Sequence, residues 1–482
     1  MFDMTQQAKL EAFSLGPVPP RPSESGVSVR SKYEETQSPR RLVNEHIPHS
    51  SVDEPPTERP AQINSDQIKY QMRRARFQLA SLFWSMFLAG WNDATTGPLL
   101  PRLQEFYKVN DTIVSLIFVF ACVGFVAGAC LIVPLFNKFG FGKIIVVGAV
   151  THMTASGLQS ARPPFPVFVL AYVLGGIAIS VQDAGASAYV ANIKDNAETK
   201  MGLLHAAYGV GALCAPLVAT QFAQLEQWSF HFLCTLGIGF FASIALSFTF
   251  RFKSQEECLA DIGQHPESGS ENERSSFKHI LTQRRVHLLA VFILVYVGVE
   301  VTIGGWIVTY VIRLRDGGPN SGYISSGFFA GLTLGRVILL WLNAKASGLL
   351  LIFTSYSNIH QIGERRVMYL YAMLAIGLEL VVWLVPSLIG GGVAISLVGL
   401  LLGPMYPIAL NHAGRILPRW LLTGAVGWIC GFGKSGAAVV PFMTGVLAGN
   451  FGIGSLQPLL VAMMTAMIVL WALVPGGPRK VD

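Results

Sequence analysis

Polar and apolar positions along this chain of 482 residues are sorted into long blocks instead of alternating residue by residue. The first block, 1–75, is rich in Pro, Ser, Glu and Arg and lacks any apolar run, which reads as a disordered tail. Apolar runs then recur, each near the about 20 residues a helix needs to cross a bilayer. Twelve such runs can be drawn, at 77–97, 113–136, 144–161, 166–190, 202–225, 229–250, 286–312, 320–343, 367–388, 390–411, 421–447 and 456–475. A polar stretch, 251–285, divides them six and six, and its end (FKHILTQRR) fits a short amphipathic helix. The predicted architecture is therefore an all-α membrane protein of twelve transmembrane helices. One six-helix half spans 76–250 and the other 286–476, and a short polar end follows at 477–482.

The halves echo each other. GFVAG at Gly124–Gly128 in the second run matches GFFAG at Gly327–Gly331 in the eighth, and glycines four apart let a neighbouring helix approach closely. A basic turn follows each: NKFGFGK at Asn137–Lys143, and NAK, resumed as IGERR, between Asn343 and Arg366. Joining Lys345 to Ile362 gives KIGERR, so the sixteen residues 346–361 read as an insertion.

Composition fits a bilayer as solvent. The chain is 52% hydrophobic and 13% charged, against roughly 25% charged in soluble domains, and its mean hydropathy is +0.49. The net charge of +7 reflects topology, not a nucleic-acid surface. Lys69, Arg73, Arg74, Arg76, Lys138, Lys143, Lys194, Lys200, Arg251, Lys253, Arg365, Arg366, Arg415 and Arg419 all fall on loops of one side if every run crosses. By the positive-inside rule that side is cytoplasmic, with both termini inside. The six cysteines show no metal-site or disulfide spacing and read as small packing residues.

GFGKSG at Gly431–Gly436 fits a dinucleotide fingerprint in letters only. It lies inside an apolar run, without the preceding strand that such a site needs. No HExxH or GxSxG motif accompanies it, so neither catalysis, a cofactor nor a metal is expected. The chemistry lies in acids and bases carried inside the runs: Asp93, Asp183, Glu300, Glu379 and Lys434. A charge at mid-bilayer costs about 2.5–3.5 kcal/mol even on lenient scales, so such groups face a wet cavity or a partner. In GWNDATTGPLLP (Gly90–Pro101), Asp93 can cap the helix end or serve as a carboxylate that takes up and releases protons.

GWNDATTGPLLP, ISVQDAGASAYV (Ile179–Val190), LLHAAYGVGALCAPL (Leu203–Leu217), YVGVEVTIGGWIVTY (Tyr296–Tyr310), GLTLGRV (Gly331–Val337) and LLGPMYPIALNH (Leu401–His412) together resemble the major facilitator superfamily. The resemblance is to its fucose-permease-like proton symporter branch, and within that to fungal bypass-of-stop-codon-type permeases, over roughly 75–475. It implies alternating access between two halves around a midplane site, a small-molecule substrate, protons as the coupling ion, and a monomer in the plasma membrane. It also implies proton coupling at Asp93 and a fourth-span acid that helps bind sugar, here Asp183, which is read with Asp93 as a proton-coupling residue. The residues themselves offer a substrate site drawn from Asn92, Gln182, His205, Glu300, Trp306 and Lys434. The family's fourth-span Glu is Asp183 here, and His205 and Glu300 stand where the permease has amides, which weakens the case for a plain sugar.

The family's loop motif implies gating residues Lys138, Gly140, Lys143 and, in the second half, Arg336, which lies close enough to the cytoplasmic end to snorkel inward. Asn137 replaces the motif's acid. Glu300 and Lys434 leave two readings open, an internal salt bridge or a free ammonium that attracts an anionic solute. Asn110 begins a glycosylation sequon, NDT, on the predicted outer side. Two other functions fit the same pattern, proton-driven export of a fungal secondary metabolite and a non-transporting sensor. For the topology, a tag on either terminus should be reached only after permeabilisation, and a cysteine at Asn110 should label from outside. Outside labelling of the 251–284 loop overturns the assignment.

Overall fold

Twelve helical segments cross between two ends of the bundle in the computed structural model. It describes residues 65–193, 195–264, 279–339, 359–417 and 419–476, and every regular element among them is helical. In the first half they are α1 (Ser65–Tyr107), α2 (Leu116–Phe139), α3 (Phe141–Ser160), α4 (Phe165–Ala191), α5 (Ala197–Ala223) and α6 (His231–Phe250). In the second they are α7 (Arg284–Leu314), α8 (Tyr323–Leu334, extended by a π-helical turn at Gly335–Leu339) and α9 (Ile359–Leu384). There follow α10 (Leu388–Leu402 and Met405–Ile416), α11 (Arg419–Lys434 and Gly436–Phe451) and α12 (Leu456–Leu473). The expected insertion lies outside the described residues except for Ile359–Gln361, where α9 begins.

Among the described residues, eleven segments are long and apolar enough to span a membrane. The twelfth, α1, is the longest helix of all but falls short in apolarity, because its inward face is polar. Gln78, Ser81, Ser85, Thr95 and Thr96 are all buried against other helices. α1 also starts at Ser65, inside the stretch expected to be a tail. Outward faces are the reverse: Phe248, Ile389 and Phe451 are 76–81% exposed, as a lipid-facing surface requires.

The two halves repeat one packing scheme. α1 packs on α5 and α6, α2 on α4, and α3 on α4 and α6. Six helices later, α7 packs on α11 and α12, α8 on α10, and α9 on α10 and α12. The repeated glycines sit at the matching crossings. A Cβ on Gly124 would collide with the Val173 carbonyl of α4, and one on Gly331 with the Ser396 carbonyl of α10. Gly140, with φ of +87°, ends α2 and starts α3 in one step, a conformation that favours glycine.

Call the end bearing the start of α1 and the end of α12 proximal, and the opposite end distal. The polar stretch at 251–285 is partly folded proximally. Ser254 and Glu257 form a capping box that starts a short helix, Gln255–Ala260. That helix docks beneath the first half. Gln78 donates to the Cys258 carbonyl at 3.0 Å, and Asp261 pairs with Lys253 at 2.7 Å and Arg74 at 3.6 Å. Burial pushes the Cys258 thiol up to about 12, with Asp261 adding to the shift. Gly142 of the α2–α3 turn donates its N–H to the Lys253 carbonyl at 2.9 Å, which ties the turn to this helix. Lys138 and Lys143 of that turn are exposed, Lys138 lying 5.3 Å over the Phe139 ring.

At the distal end the halves meet. Arg313 of α7 donates to both Asp111 oxygens at 3.0 Å and to Gln104 of α1 at 2.9 Å, while Gln104 donates to Asp111 at 2.6 Å. Asp111 opens a short helix, Asp111–Val114, capped by Asn110, whose side chain accepts from the Ile113 N–H. Thr112 donates to the Gly445 carbonyl of α11, Gln221 of α5 donates to the Tyr323 hydroxyl of α8, and Gly97 of α1 meets the Gly304 carbonyl of α7. Among the described residues, α4 and α5 do not pack extensively on the proximal segments of α10 and α11. The bundle is thus shut distally and open proximally.

Hydrogen bonds to charged groups contribute about 1.5–3 kcal/mol, so the Arg313 network biases the halves toward distal closure by roughly tenfold or more. A Cβ on Gly449 would stand 3.7 Å from the Thr112 Cβ, inside the disulfide range of about 3.5–4.5 Å. A Thr112→Cys, Gly449→Cys pair should therefore cross-link readily, and adding Arg313→Gln should slow the cross-linking several-fold. An unchanged rate removes the clamp from the account of closure.

Candidate functional site

The site is built where α1 bends its polar side toward three neighbours. Successive residues leave a helix about 100° apart, so Trp91, Asn92 and Asp93 cannot share a partner. Trp91 stacks on His231 of α6 at 5.5 Å and donates its indole N–H to Thr235 at 3.0 Å. Thr95, one turn on, hydrogen-bonds His231 at 2.9 Å. Asn92 turns to α3, where its Oδ1 lies 3.2 Å from His152 Nε2. Asp93 is left facing the space between the halves and is exposed although it lies within the span.

One hydrogen bond holds it there: Tyr208 of α5 donates its hydroxyl to Asp93 Oδ2 at 2.7 Å. Gly90 makes this possible, because it lies directly against the Tyr208 carbonyl and any side chain there would push α5 away. Tyr208 stands within LLHAAYGVGALCAPL, where its residue type alone does not single it out. Its position three residues after His205, on the same helical face, is the signal that could have found it.

Asp183 of α4 is half-buried, with the Ser187 hydroxyl 3.5 Å away. His205 of α5 is exposed. Asp93 lies in the electrostatic range of Lys434, Asp183 and Glu300, and His205 in that of Asp183, Arg336 and Lys434, so charges from both halves converge. Such fields act strongly where little water screens them.

Four expected roles change. Gln182 is fully buried and accepts from Ser85 of α1 at 3.0 Å, so it ties α4 to α1 instead of reaching a solute. Trp306 is also fully buried, donating to the Pro441 carbonyl of α11 at 3.1 Å. Both face a crossing helix, a choice that an all-round apolar span does not encode. Asn92 is occupied by His152. Arg336 does not run toward the proximal end. The π-helical turn at Gly335–Leu339 aims it at Glu300, 3.3 Å from both oxygens, with Tyr296 beside the pair. A π-turn often marks a functional position. Glu300 is thereby paired within its own half, and Lys434 lies elsewhere, 5.1 Å over the Phe125 ring of α2. Glu379 is wholly buried beside Gln457 of α12, apart from this group.

Residues 82–359 match the Major Facilitator Superfamily. The chain belongs to that superfamily. It is a membrane transporter, not an enzyme. It is similar to bypass of stop codon protein 6 of Saccharomyces cerevisiae, with 25% identity over 83% of this chain and 82% of the relative. It is also similar to the glucose/mannose transporter GlcP of Bacillus subtilis, at 21% identity over 74% of this chain and 85% of the relative. Among solved structures, a D-xylose–proton symporter superposes with a TM-score of 0.63 at 13% identity, covering 83% of this chain and 98% of that one. The last likeness is one of fold.

The ion pair offers a direct test. Arg336 and Glu300 side chains keep only 23% and 13% of their exposure. Breaking a fully buried pair costs about 3–5 kcal/mol, and these residual exposures reduce that. Glu300→Gln and Arg336→Gln should each lower the melting temperature in detergent, and the double variant should lose less than the sum. Additive losses mean that the two side chains do not depend on each other.

Proposed function

We propose that this transporter carries a sugar-like or related small organic solute across the plasma membrane together with protons, by alternating access, as a monomer. The proximal end is cytoplasmic in this reading, which makes the conformation described here inward-facing. Lys138 and Lys143 then belong to the cytoplasmic gate around Gly140. Asn110, at the closed outer end, keeps its amide nitrogen for a glycan while its oxygen caps the short helix.

The observation that carries the proposal is the Asp93 carboxylate, exposed within the span and held by Tyr208 in a bundle whose halves are joined distally. A carboxylate so placed can load a proton when the cavity faces one compartment and release it when the cavity faces the other. Asp183 and His205 lie within each other's field, and in this reading they hold the solute beside Asp93. The sugar-transporter relative and the proton-symporter fold support this reading of substrate and coupling ion.

Uptake into proteoliposomes with an imposed pH gradient tests it. Wild type should accumulate solute, and Asp93→Asn should abolish accumulation while counterflow exchange persists, since binding and rocking do not need the proton. Continued accumulation by Asp93→Asn removes Asp93 from the coupling role. Solute driven outward against its gradient would instead identify an exporter, and no movement of any solute a sensor.

A further inference from the structure

The GFGKSG segment has a use that its letters conceal. Gly433 and Gly436 both press α11 against α7: a Cβ on Gly433 would strike the Ile293 side chain, and one on Gly436 the Leu294 carbonyl. The helix also pauses here, its first segment ending at Lys434 and the second beginning at Gly436. With its two glycine neighbours committed to α7, Lys434 leaves the helix on another side. It projects across to the opposite half, over Phe125 of α2.

An ammonium inside the bundle ordinarily pairs with a carboxylate. None of the carboxylates around Lys434 makes an ion pair with it among the described residues: Glu300 pairs with Arg336, Asp93 accepts from the Tyr208 hydroxyl, and Asp183 lies 3.5 Å from the Ser187 hydroxyl. The Phe125 ring face is a weak substitute for an anion. The side-chain amides that would read the hydroxyls of an uncharged hexose are likewise turned away, Asn92 onto His152 and Gln182 onto Ser85. Among the described residues, ionisable side chains converge on the space between the halves: Asp93, Asp183, His205 and Lys434.

Resting on the transport reading above, we propose that the solute bears a carboxylate, received by Lys434, together with hydroxyls that meet Asp93, Asp183 and His205: a sugar acid or a related hydroxy acid. Lys434 is the main positive charge acting on Asp93. Protonation of Asp93 removes the competing carboxylate and leaves the ammonium field to the solute. One proton then enters with one anion, and the cycle moves no net charge.

Proteoliposomes with purified protein read this in two ways. Radiolabelled gluconate and galacturonate should accumulate under an imposed pH gradient and should not respond to a potassium–valinomycin potential, whereas a neutral sugar carried with a proton would respond. Lys434→Gln should raise the half-saturating gluconate concentration at least tenfold, and Lys434→Arg should restore most of it. Melting of Lys434→Gln without solute should stay close to wild type, because Lys434 makes no ion pair among the described residues and Asp93 keeps the Tyr208 hydroxyl. Accumulation of glucose or galactose with no competition from either acid overturns the inference and leaves the transport reading standing. A strongly destabilised Lys434→Gln overturns it too, since the ammonium then serves the fold. If neither acids nor neutral sugars are moved or stabilise the protein against heat, both readings fall.

Discussion

A charged group carried to the depth of a bilayer must meet water, a hydrogen-bond donor or an opposite charge, and this requirement organises the interior of the bundle. Asp93 meets Tyr208 and an open cavity, and Glu300 meets Arg336. Lys434 meets a ring and the space between the halves. The helix positions follow from these needs. α5 must approach α1 at Gly90 for Tyr208 to reach the carboxylate, and α8 must widen into a π-turn for Arg336 to reach α7.

The same requirement explains the asymmetry between the ends. Distally, Arg313, Asp111 and Gln104 satisfy one another across the halves, so the two bodies lose little polar solvation on closing there. Glycine crossings at Gly97 and Gly445 bring the backbones together around this network. Proximally, the ionisable groups of the cavity face a gap. A transporter needs both arrangements to be nearly equal in energy, and a clamp of a few hydrogen bonds is of the right size to be reversed by solute and proton.

Much of this was legible in the chain. The apolar blocks gave the spans and their division into halves. GFVAG and GFFAG marked the equivalent crossings of α2 on α4 and α8 on α10, because a glycine pair four residues apart has one local consequence wherever it sits. Asp93 stood out because an acid in an apolar run is costly without a role. The capping box at Ser254–Glu257 starts a helix inside a stretch whose polarity presents it as a loop.

Composition and spacing by themselves determined the fold class, the twelve segments, the internal repeat and the few groups with chemistry to offer. Only the tertiary structure decided which groups meet. A spanning helix is apolar toward lipid and toward its neighbours alike, so hydropathy does not say which side faces in. That is why Gln182 and Trp306, read as lining the cavity, proved to be locked into helix crossings. It is also why Glu300, for which the sequence offers Lys434 as a partner, pairs instead with Arg336 once α7, α8 and α11 are packed. Partner choice depends on angles of about 100° per residue and on contacts between residues 36 to 135 positions apart, and neither is written in local sequence.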